Sequence, residues 1–169
     1  PIFNALFEQI RRDKAMEQYK LPLTEQGVYY VPIDGTTYHS SKKISCDCYL
    51  TQTHKNGTVT YKHAVLQGAI VHPGIAQVIP LMPEAIKNTD GQEKQDCEQN
   101  AAKRFLEQLK KDHPRLPILI GGDDLFSRVP IFDMLKQHGM HGIFTCKEGS
   151  HNHLFKQLDE LLEWSYFCR

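Results

Sequence analysis

The sequence has no excess of either charge: 20 lysines and arginines balance 20 aspartates and glutamates. Zero net charge removes the global electrostatic argument for nucleic acid, so a DNA-binding reading needs a local basic patch. Long hydrophobic runs are missing too. No apolar stretch approaches the roughly 20 residues that cross a bilayer, and no secretory signal is visible, so no membrane association is expected. Cysteine is sparse and odd in number: Cys46, Cys48, Cys97, Cys146 and Cys168 are irregularly spaced. This argues against a disulfide framework and predicts reduced thiols in a cytoplasmic protein. Internal repeats and low-complexity tracts are absent. The chain opens on Pro1 rather than Met, which is read as a piece processed or cut from something longer.

What is present is an ordinary globular composition over a length that suits one domain with a full core. Phe3, Leu6, Phe7 and Ile10 recur at i, i+3, i+4 and i+7, predicting an amphipathic helix over 3–19, with "LPLTEQG" as a connector. The β-favouring run Val28, Tyr29, Tyr30, Val31 and Ile33 predicts a strand over 27–38. Strands over 44–53 and 58–72 are joined by "HKNGT", where Asn56-Gly57 predicts a type I′ hairpin turn. The prolines of "VHPG" and "VIPLMPE" predict a sheet edge followed by a loop. Ala101, Ala102, Phe105, Leu106 and Leu109 form the apolar stripe of a helix over 98–112.

"LPILIGGDD" reads as a buried parallel strand and "HGIFTC" as the next. Between them a helix over 128–138 has Pro130 in its first turn and Gly139 as its stop. A last helix covers 151–166. The hairpins must be antiparallel, and the later strand–helix–strand unit parallel and right-handed. The prediction is an α/β fold with a mixed five-stranded sheet flanked by helices. It divides into an N-terminal helix and connector (1–26), a core (27–150) and a C-terminal helix or start of a further subdomain (151–169).

Two strands end on acids. Asp34 closes the first in "YVPIDGTTYHSS", and Asp123 and Asp124 follow Gly121 and Gly122 in "ILIGGDDLFS". The carboxyl ends of strands are where open α/β sheets bind ligands, and the glycines are expected to let backbone or ligand come close. If the two strands are parallel neighbours, Asp34 and Asp123 meet. Adjacent carboxylates repel unless protonated or bridged by a cation. A hard divalent ion, Mg²⁺ or Mn²⁺, suits such oxygens, and two of them can hold the attacking and leaving oxygens of a phosphodiester. The structural alternative is that Asp34 is a turn former and that Asp124, with Ser127, caps the helix at 128.

The strings "IDGTTYHSSKKISC", "HKNGTVTYKHAVLQGAIVHP", "VIPLMPEAI", "DGQEKQDCEQNAAKRFLEQLKKDHPRLPILIGGDDL" and "GIFTCKEGSH" together resemble the catalytic core of DDE-type insertion-sequence transposases, from about residue 27 to residue 155. The resemblance implies a ribonuclease H-like fold and DNA strand cleavage and joining with two divalent metal ions held by an Asp-Asp-Glu triad. It implies transposon-end and target DNA as partners, self-association of the full-length protein, and a bacterial cytoplasm. Asp34 matches the family's first Asp and Asp123 its second; Asp124 stands where the family pattern usually has Gly.

The family's Glu sits far downstream, on a helix with a Tyr, Arg, Glu and Lys signature that does not occur before Arg169. Asp159, Glu160 or a residue outside this chain are the alternatives for the third acid, while Glu148 reads as a turn residue. The family also has a helical end-binding domain ahead of its core. The chain is therefore expected to be a core fragment that does not cut DNA alone. Its rivals are a metal-dependent nuclease on the same fold and a non-catalytic DNA-binding or assembly remnant. Cys46 and Cys48, with His54 and His63 across the hairpin, fall short of the Cys spacing of a zinc site. Lys42, Lys43, Lys55 and Lys62 flank the strands where phosphates could be met, although each singly reads as a solvated side chain.

Overall fold

The computed structural model describes residues 2–44, 50–87 and 94–167. Its elements are α1 (Ile2–Arg12), β1 (Tyr29–Ser41), β2 (Leu50–Thr53), β3 (Val59–His72), β4 (Ile75–Pro80), β5 (Glu84–Ile86), α2 (Lys94–Asp112), β6 (Ile118–Gly122), α3 (Val129–His138), β7 (His141–Phe144) and α4 (Asn152–Phe167). The sheet is mixed and has seven strands rather than five. Its main path runs β2-β3-β1-β6-β7.

The two additional strands come from the proline-rich segment read as a sheet edge followed by a loop. β3 is 14 residues long and offers one edge to β1. Along its other edge three short strands pair with it in turn: β2 against Val59–Lys62, β5 against Ala64–Leu66 and β4 against Ala69–His72. Pro80 is tolerated because it closes β4, whose only strand partner among the described residues is β3. Arg104 of α2 fastens β5, donating from Nε to Glu84 Oε1 at 2.6 Å and from its guanidinium to the Ala85 carbonyl at 2.8 Å.

The first helix is shorter than the periodicity of 3–19 predicts. It ends at Arg12, and Lys14 takes a left-handed conformation (φ 57°) that breaks the helix. A single 3₁₀ turn, Glu17–Tyr19, follows. Met16 and Tyr19 are buried, so packing overrides the local helical pattern here. The hairpin joining β2 to β3 is also not type I′. The Gly57 amide donates to the His54 carbonyl at 2.9 Å and only Gly57 has positive φ (77°), so Lys55 and Asn56 form an ordinary turn with a left-handed glycine after it. Part of the strand expected over 44–53 lies outside the described residues, as do Cys46 and Cys48.

The core lies between the sheet and the helices α2 and α3. Val31, Leu66, Ile70, Ile118 and Ile120 from the strands meet Ala101, Ala102, Phe105 and Leu106 from α2. β6 is a buried parallel strand as its composition predicts, and it pairs in parallel with both β1 and β7. β7, expected to be buried, is an exposed edge, with Ile143 open to solvent. Among the described residues no helix is long and apolar enough to cross a membrane.

Candidate metal centre

β1 and β6 pair in parallel from Tyr29↔Ile118 to Pro32↔Gly121. The pairing stops there; Asp34 lies two residues beyond Pro32 on β1, and Asp123 lies two residues beyond Gly121, just past the end of β6. Val31, Ile33, Ile118 and Ile120 are buried in the core, whereas Asp34 and Asp123 are both exposed. Each acid has one oxygen engaged locally. Asp34 Oδ1 accepts from the Gly35 amide at 2.8 Å, and Asp123 Oδ1 accepts from the Leu125 amide at 3.0 Å. These bonds tie one oxygen of each carboxylate to the adjoining backbone. Exposed carboxylate oxygens are the donors that suit a divalent cation keeping part of its water shell.

The glycines before Asp123 have another use than the one expected. A Cβ on Gly121 would lie 2.3 Å from the Tyr30 hydroxyl, and one on Gly122 would lie 2.9 Å from the Phe126 ring. They make room for aromatic side chains, not for a ligand. Tyr30 thus lies across β6 two residues before Asp123, on the same face of β1 as Asp34.

Asp124 has a separate role. Its carboxyl is buried and reaches across to the segment after β7, accepting from the Lys147 amide at 2.7 Å and from the Ser150 hydroxyl. His151 Nε2 lies 3.2 Å from Oδ1. It does not cap α3: the residue before that helix is Arg128, with no side-chain cap, and Pro130 opens the first turn as expected. The Ser150 hydroxyl, then the Lys147 amide, hold the Asp124 carboxyl below its ordinary value of 3.8. A depressed folded-state value means that Asp124 contributes stability above the unfolded value and loses it as pH falls through the folded one. Asp124→Asn is expected to remove that part of the acid unfolding and to speed proteolysis near Lys147 at neutral pH. Acid titration of both proteins by circular dichroism, with limited digestion at pH 7, checks this.

Among the described residues, no group of three His, Cys, Asp or Glu side chains is placed to hold a metal. Asp159 and Glu160 are exposed on α4 and do not complete such a group. Glu148 begins a short 3₁₀ turn, as its reading as a turn residue implies. His54 pairs with Thr60 at 2.9 Å, and the His63 ring stacks on Tyr38.

One acid near the centre escaped the sequence reading. Glu98 is buried on α2, and its carboxyl packs on Gly35, with Oε1 3.0 Å from where a Cβ would stand. Gly35 faces the helix side of β1 and Asp34 the other, so the strand separates the two carboxyls. The available signal was the helical stripe: 98, 101, 102 and 105 share one face, and Glu98 is the acid on it.

No family model matches the sequence, and neither does any curated protein. Among solved structures the chain is similar to a piggyBac transposase in a synaptic complex with hairpin DNA, at 16% identity and a TM-score of 0.46. That likeness covers 88% of this chain and 29% of the transposase chain, so this chain spans less than a third of its length. A TM-score under 0.5 leaves the weight on the residues themselves.

Proposed function

We propose that the chain is part of the catalytic core of a DNA transposase with a ribonuclease H-like sheet, and that Asp34 and Asp123 hold Mg²⁺ or Mn²⁺ for DNA strand cleavage and transfer. The observation that supports this reading is that β1 and β6 pair in parallel and that an exposed acid stands two residues past the last paired position in each case. The ordered sequence strings that resemble the insertion-sequence enzymes supply the reaction class. When bound, a divalent ion supplies charge neutralisation at the phosphodiester oxygens. The chain's own part is positional. The Gly35 and Leu125 amides orient the two carboxylates, and Tyr30 covers the strand just behind them.

A second reading is a module that binds DNA without cutting it. It is favoured by the lack, among the described residues, of a third side chain that joins the pair. The test is a crystal of the protein soaked in Mn²⁺, with anomalous scattering to locate the ion. The expected result is one peak within about 2.0–2.3 Å of oxygens from both Asp34 and Asp123. No peak there, at saturating Mn²⁺, overturns the catalytic reading. Retarded migration of DNA on a native gel would then favour the second.

A further inference from the structure

The chain is neutral as a whole, but the strands leaving the candidate centre are not. β1 parts from β6 after Pro32 and continues beyond Asp34 to Ser41 with β3 as its strand partner. Seven residues at 3.3 Å each make an arm about 23 Å long, starting at the first acid. β2 and the β2–β3 turn complete it. Lys42, Lys43, Lys55 and Lys62 all lie on this arm, and its described parts, 36–44 and 50–63, contain no Asp or Glu. Asp47 lies between them in sequence, outside the described residues.

The lysines lie in the outer part of the arm, away from Asp34. Lys42 and Lys43 follow β1 in a turn fixed by the Ser41 hydroxyl, which accepts from the Lys43 amide at 3.1 Å and the Ile44 amide at 2.9 Å. Lys55 stands in the tight turn between β2 and β3. Lys62 lies toward the outer end of β1, opposite both Ser40 and Leu50, and its Nζ donates to Gln52 Oε1. Exposed hydroxyls at Thr37, Ser40, Thr51 and Thr53 fill the surface between them. Tyr38 is exposed and stacked on His63 with ring centroids 5.7 Å apart.

Lysine and hydroxyl side chains without acids are a poor protein–protein surface, whose buried centre is depleted in lysine. They are what phosphate oxygens are met by in protein–DNA contacts. We propose that this arm lies along the DNA duplex flanking the candidate centre and holds its backbone through Lys42, Lys43, Lys55 and Lys62, without reading sequence. Its length matches roughly seven base-pair steps of 3.4 Å. The word DNA here rests on the function proposed above; the position and charge of the arm do not.

The test is binding of a labelled 30-base-pair duplex by fluorescence anisotropy over a salt series. The full chain is compared with a variant holding Lys42→Gln, Lys43→Gln, Lys55→Gln and Lys62→Gln. Each phosphate contact adds about 0.9 to the slope of log affinity against log salt, so the variant's slope is expected to be shallower by about 3 to 4. Between 50 and 200 mM salt the wild type then loses roughly 100-fold more affinity than the variant. The loss is the same on duplexes of unrelated sequence. If the wild type binds DNA and the variant's slope is unchanged, the arm is not the contact, while the proposed function stands. If the wild type does not bind DNA at all, the function proposed above fails, and the arm's role with it. Should the quadruple variant not fold, the pairs Lys42→Gln with Lys43→Gln and Lys55→Gln with Lys62→Gln are each expected to reduce the slope by about 2.

Discussion

Asp34→Asn is expected to weaken Mn²⁺ binding by more than about 100-fold, because loss of a direct ligand should exceed the 10–100-fold cost of losing a supporting group. In the metal-free protein the same change is expected to be neutral or stabilising by up to about 1 kcal/mol, since it removes a like charge beside Asp123. The two effects have opposite signs, and that separates the readings of this residue. Asparagine keeps an oxygen that can accept from the Gly35 amide, so the local turn survives. If Asp34 only formed that turn, Asn would serve as well and Mn²⁺ would be irrelevant. Urea unfolding with and without metal measures both. Wild type is expected to gain about 2.7 kcal/mol at Mn²⁺ 100-fold above its Kd, and Asp34→Asn to gain none. Equal stabilisation of the two proteins would place the ion elsewhere.

Phe126→Ala is expected to lower the unfolding free energy by about 3–5 kcal/mol, a large share of the 5–15 kcal/mol typical of a domain. The Phe126 ring is fully buried and lies over the glycine face of Gly122. Its amide donates to the Asp123 carbonyl at 3.2 Å, closing the turn that holds the second acid. The cavity left by alanine therefore opens against Gly122, the residue before Asp123. Mn²⁺ affinity is expected to fall in the fraction that stays folded, even though Phe126 touches no ligand. Urea denaturation gives the stability, and metal titration under native conditions gives the second effect.

Much of the candidate centre was legible because it is built from strong local signals. Ile118, Leu119 and Ile120 form an uninterrupted apolar run followed by two glycines and two acids, the pattern of a buried strand that ends in a turn. What sequence could not assign was the division of labour between Asp123 and Asp124. Asp124 is buried by Lys147, Ser150 and His151, more than 20 positions further along, and no nearby residue announces them. The missed strands β4 and β5 are short and proline-bordered, so their own periodicity is too weak to read. They form because the long β3 presents an edge that must be paired. β7 shows the converse: its apolar residues suggested burial, but position at the end of the sheet order decides exposure, and order is a property of the whole chain.

The seam between β1 and β6 joins Tyr29 to Ile118, 89 positions apart, whereas β2 and β3 close across a tight turn. Tethering ends so distant costs about 4 kcal/mol of chain entropy before any contact repays it. The antiparallel strands can therefore assemble early, and the parallel seam late. The strands that carry Asp34 and Asp123 become neighbours only at that late step. A partly folded chain would already present the lysine arm before those strands pair, so on the proposed function a surface for DNA would form ahead of a site for metal.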